Sequence, residues 1–197
     1  MVRKTLSRVT GVTGSRLDAL TVATFADFAM CFSDLVSTNR QPAGRLTSTV
    51  GRVEGVERVT RLGAPLISLT AHVGNWELAG RLLAGRAART THVVVAVQGD
   101  RALGTRGDVL IPFFGWPAPF PLGPFLLASA VGVPLVPAFC LLDADHRYAV
   151  KVAEPFAVPR GGEEEAARAW VAVLEDVVRE YPTQWFNFFD IWSPVPA

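Results

Sequence analysis

Lysine is nearly missing from these 197 residues: of 19 basic side chains only Lys4 and Lys151 are lysines, the rest arginines. They meet 18 acidic residues, leaving a formal net charge of +1. So even a balance gives no electrostatic footprint for nucleic acid, and no recognition motif for it is present. Cysteine is just as scarce, Cys31 and Cys140 being the whole complement. Two thiols in separate apolar runs exclude a disulfide framework and read as buried free thiols. The three histidines, His72, His92 and His146, are scattered without ligand spacing, which argues against a metal site. The first residues are polar, with no apolar core of a secretory leader. Neither repeats nor low-complexity tracts occur.

Charge is absent altogether from 109 to 142. On hydropathy alone that run suggests a membrane span. It contains Pro112, Pro117, Pro119, Pro121, Pro124, Pro134 and Pro137, however. Each interior proline costs a helix about 3 kcal/mol, so a continuous spanning helix is excluded and the run reads as core and apolar cleft wall.

What the chain does have is a good deal of apolar material: half of its residues are hydrophobic and mean hydropathy is +0.29. One domain with a sizeable core is expected, with residues 1–60 as an N-terminal helical segment and 61–197 as the main domain. Residues 1–17 read as loop or weak helix. A helical stripe follows in Leu17, Leu20, Thr24, Phe28, Cys31 and Leu35. Residues 50–60 are ambiguous, because valine prefers strands while the spacing here is helical. Strands are expected at 65–71, 91–97 and 134–142, an edge strand at 148–152, and helices at about 75–88, 125–131 and 163–181. Strand, helix, strand, loop, strand, helix, strand is an α/β pattern: a mixed, mostly parallel central sheet flanked by helices, with a small helical N-terminal part.

One stretch stands out for chemistry. Between the strand at 65–71 and the helix near 75 lies His72-Val73-Gly74-Asn75-Trp76-Glu77. Asn75 is a good N-cap, so His72 falls at a strand's carboxyl end, where open α/β sheets bind ligands. Five residues along an unbroken helix would turn the two ionisable side chains well apart; a turn at Gly74 lets Glu77 fold back to His72. A carboxylate fixes one imidazole tautomer and steadies the imidazolium, which suits a general base acting on a hydroxyl. A second polar loop, Gln98-Gly99-Asp100-Arg101 with Arg106 beyond it, follows the next strand in the same kind of position. A guanidinium beside glycine amides suits a phosphate.

The string His-Val-Gly-Asn-Trp-Glu after an apolar strand resembles the first motif of the bacterial lysophospholipid acyltransferase superfamily. It is most similar to the branch containing the lipid A biosynthesis (lauroyl and myristoyl) acyltransferases. The span from Gly104 to Pro124, with its glycine- and arginine-rich loop and its Pro-Phe-Phe-Gly turn, looks like a second block of that branch. The closing Gln184-Trp185-Phe186-Asn187-Phe188 resembles the end of an uncharacterised acyltransferase branch. The resemblance implies a glycerolipid-acyltransferase-like fold, with His72 as catalytic base and Glu77 as its partner. Substrate-binding candidates are Gly74, Asn75, Trp76, Gln98, Asp100, Arg101, Arg106, Phe113, Phe114 and Gly115. The reaction implied is acyl transfer from a thioester, on acyl carrier protein or coenzyme A, to a hydroxyl or amine of a membrane lipid. No further cofactor is implied. An accessory lipid-binding protein and an acyl-thioester hydrolase are the alternatives. The oxyanion would be held by backbone N–H groups near Gly74 or by Arg106. Arg3, Lys4, Arg8 and Arg16 precede the first acidic residue and suit anionic headgroups, so the expected place is peripheral, at the cytoplasmic side of the inner membrane, or else soluble in the cytoplasm.

Overall fold

A computed structural model describes residues 1–38, 49–78, 95–102, 104 and 107–193. The arginine expected to bind phosphate, Arg106, lies outside them, as do most of the helix expected at 75–88 and His92.

Two helices open the chain, α1 (Val2–Thr10) and α2 (Gly14–Thr38). The first was expected as loop or weak helix. It forms because Val2 and Leu6 bury one side against Leu17, and because Gly11, at φ 69°, ends it with its N–H on the Ser7 carbonyl. In α2 the expected stripe faces the protein, with Leu17, Thr24 and Cys31 buried along it. The ambiguous segment 50–60 takes both conformations. It begins as β1 (Val50–Glu54), turns at Gly55 and continues as α3 (Val56–Leu62).

The remaining elements are β2 (Ile67–Thr70), β3 (Val95–Gln98), the hairpin β4 (Asp108–Phe113) and β5 (Trp116–Pro121), α4 (Gly123–Val131), β6 (Leu135–Leu142), β7 (Tyr148–Val152), α5 (Glu163–Glu180) and a 3-10 turn at Pro182–Gln184. Five strands form one sheet in the order β1-β7-β6-β2-β3. All neighbours are parallel except β6 and β7, so the fold is the mostly parallel α/β domain that the element order implies. The strand at 148–152 is interior rather than an edge, because β1 returns to pair beside it.

The sheet has a core on each face. Along β6 the side chains alternate: Leu135, Phe139 and Leu141 join Trp170 and Leu174 of α5, while Val136, Ala138 and Cys140 face Phe28 and Cys31 of α2. Both thiols are buried and unpaired, as expected from their apolar settings. The proline-rich run is no helix up to Pro121. Its Pro112, Pro117, Pro119 and Pro121 share one parity of the β4–β5 register, where the missing N–H would point away from the partner strand. Phe114 and Gly115 make the two-residue turn, both at positive φ (50° and 81°), the geometry that suits a tight hairpin.

Candidate functional site

Parallel pairing of β2 with β3 builds the site. Thr70 is in register with Gln98, and Gly99 donates its N–H to the Thr70 carbonyl. Two residues further along each strand bring His72 and Asp100 together at the carboxyl edge of the sheet. His72 Nδ1 lies 2.8 Å from Asp100 Oδ1, and the His72 backbone N–H donates to Asp100 Oδ2 at 3.1 Å. The indole N–H of Trp185 donates to the same Oδ2 at 3.3 Å. Asp100 is 2% exposed, and these donors converge on it. A carboxylate only accepts, so it holds the imidazole proton on Nδ1 and leaves Nε2 with the lone pair. The His72 side chain keeps 13% of its surface.

The carboxylate on the ring is therefore Asp100 and not Glu77, the partner expected from spacing. Glu77 is exposed in the helical turn at 76–78. Gly74 does turn the chain, at φ 58°, but the turn serves another contact: a Cβ there would sit 2.2 Å from the Cys140 carbonyl oxygen. The Gly74 and Asn75 N–H groups are already spent on the Gln184 and Cys140 carbonyls. They do not form the oxyanion hole expected near Gly74.

Asn75 caps the helical turn as expected, its Oδ1 accepting from the Leu78 N–H at 3.2 Å. It is buried, and its Nδ2 reaches the Tyr148 hydroxyl, which in turn donates to Asp34 of α2 at 2.8 Å. So Asn75 is a strut between the His72 loop and α2 rather than a free substrate contact. Trp76 lies beside the imidazole, ring centroids 5.3 Å apart. It also lines a narrow apolar pocket with Phe28, Cys31, Phe32 and Phe186. Burial pushes the Cys31 thiol up to about 12, so at neutral pH it is a protonated wall and not a nucleophile.

Gln98 is the last residue of β3, and Arg101 follows Asp100 directly. The guanidinium donates to the Phe186 carbonyl at 3.2 Å and lies over the Phe189 ring, while its Nε is buried without a partner. Phe113 is fully buried, its ring 5.3 Å from that of Trp185, so it supports the site from behind. Phe114 and Gly115 form the hairpin tip, docked where Glu175 of α5 accepts the Phe114 N–H and Arg179 lies over its ring.

The closing segment, singled out in the sequence for its resemblance alone, holds the His72 loop from the other side. The Phe186 N–H donates to the His72 carbonyl at 2.9 Å, Val73 bridges to Trp185, and the Gln184 side chain clamps both backbone groups of Leu142. Asn187 is 4% exposed with neither amide atom partnered. Its only signal was compositional: amides set singly among buried aromatics are costly unless something engages them.

The sequence model of a family described as bacterial lipid A biosynthesis acyltransferase matches residues 85–193. The match takes in Asp100, Arg101 and Trp185 and begins after His72. No curated protein matches the chain closely enough to count as a relative.

Proposed function

The chain belongs to the bacterial lipid A biosynthesis acyltransferase family, and from that premise we propose that it moves a fatty acyl group from a thioester to a hydroxyl or amine of a membrane lipid, with His72 as general base. The observation that carries the reading is the buried Asp100 carboxylate on His72 Nδ1, which leaves Nε2 basic and aimed away from its partner. Nε2 takes the acceptor's proton as the oxygen or nitrogen attacks the thioester carbonyl. A tetrahedral oxyanion forms; its collapse breaks the carbon–sulfur bond, and the imidazolium returns the proton to the departing thiolate. Charge on His72 develops only in this step, and Asp100 stabilises it there. Arg101, whose Nε lacks a partner, and the unpartnered Asn187 amide are donors of the right kind for the oxyanion. The acceptor is a lipid, so the protein works at a membrane, with acyl carrier protein or coenzyme A as carrier of the donor.

The test is lipid extraction from cells expressing the wild type or His72→Ala, compared by mass spectrometry. A lipid heavier by one acyl group is expected with the wild type alone. Identical lipids from two equally folded proteins would overturn the assignment.

A further inference from the structure

Helix α2 is built inside out. At 100° per residue, Val22, Phe25, Ala26, Ala29, Phe32 and Val36 fall within about 120° of its circumference. All six are exposed, Val22 by 71% and Phe32 by 54%. The acidic residues of the same stretch point the other way: Asp27 accepts from the Thr183 hydroxyl at 2.6 Å, and Asp34 from that of Tyr148. The charge closest to the stripe, Asp18, stands at its N-terminal end and is bonded to Arg3 at 2.7 Å. From 19 to 37 the outward arc carries no charge. The tail extends it, since Phe188 stacks on Phe25 at 5.8 Å and Phe189 is likewise exposed.

Among the described residues α2 is the one helix long and apolar enough to cross a membrane. In this fold its other face is engaged with the protein. Phe28 packs on Phe186, and the two aspartates are engaged. A helix with one side committed and the other apolar but for Ser33 lies in the interface plane. The stripe runs about 21 Å and is about 10 Å wide, on the order of 200 Å². That is well short of the roughly 800 Å² a side that a stable dimer buries. Insertion into lipid has no such threshold and grows with apolar area.

We propose that the outward face of α2, extended by Phe188 and Phe189, docks the protein on a lipid bilayer by shallow apolar insertion, with the helix axis in the membrane plane. This rests on the reading that the acceptor is a membrane lipid. It fixes the site relative to the membrane, because Phe186 packs on Phe28 at the inner side of α2 and donates its N–H to the His72 carbonyl. An uncharged stripe binds without needing anionic headgroups, so vesicles of phosphatidylcholine alone suffice and salt does not release the protein.

The experiment is flotation of the full chain with phosphatidylcholine vesicles, for wild type, Val22→Glu and Phe32→Glu. Wild-type binding and a loss of at least tenfold in each variant, with unchanged circular dichroism, are expected. A second reading is independent of variant folding. Ala29→Cys labelled with an environment-sensitive fluorophore should shift to the blue on adding vesicles, the native thiols being buried. Failure of the wild type to bind, variant binding equal to wild type, or no spectral shift would overturn the proposal. So would a dimer in solution that Val22→Glu dissociates while no vesicle binding is seen. Vesicle binding without any acyl transfer would leave the docking face standing and remove the catalytic reading alone.

Discussion

Two loops each offer His72 a carboxylate. Residues 72–77 carry Glu77, five positions along the chain; residues 98–101 carry Asp100, twenty-eight positions away. Nearness in sequence favours the first and the fold chooses the second. In the helical turn at 76–78, capped by Asn75, Trp76 and Leu78 face the protein and Glu77 is left in water at the helix's positive end. The β2–β3 register, by contrast, puts Asp100 in a dry position where three N–H groups meet it. A carboxylate that accepts from several donors is fixed in place; one in solvent is free to turn away. For a group whose work is to hold an imidazole, fixation is what counts.

Substitutions sharpen that contrast, and they rank by how directly each touches the imidazole. Asp100→Asn keeps the shape but removes the charge that steadies the imidazolium. A fall in kcat/KM of roughly 10²–10⁴ is expected, with KM little changed. Trp185→Phe removes one N–H donor to Asp100 and leaves the ring on Phe113. About a tenfold fall in kcat is expected, the scale of a single hydrogen bond to a charged group. Glu77→Gln should stay within about twofold of wild type in the same assay, an exposed side chain contributing little. Should Glu77→Gln instead cost more than Asp100→Asn, the partner of His72 in the working enzyme would be the near one, reached by a movement of the helix start.

The closing segment and the hairpin tip differ in the same instructive way. Phe113, Phe114 and Gly115 form an obvious sequence block, yet they end as core and as a hairpin tip docked on α5. Gln184, Trp185 and Phe186 carry no chemistry legible from their spacing, yet they hold His72, Asp100 and Leu142 in place. Hairpins form from local register, so the turn at Phe114 and Gly115 is written in the sequence; what it docks against is not. The Trp185 contact spans 85 residues, and no local pattern encodes a pairing of that separation.

The sequence by itself determined the elements whose cause is local. Alternation and apolar runs placed β2, β6 and β7, the stripe of Trp170, Val171 and Leu174 placed α5, Asn75 capped its helix, and prolines kept 109–142 from spanning a membrane. The short string around His72 put that residue at the carboxyl end of β2, where the structure has it. Only the tertiary structure decided which carboxylate serves it, that the N–H groups of Gly74 and Asn75 are already engaged, and that the apolar side left over on α2 faces outward. The physical reason is the same in each case. Periodicity says that a helix has two faces and a strand two sides, but which of them is covered depends on partners brought from distant parts of the chain.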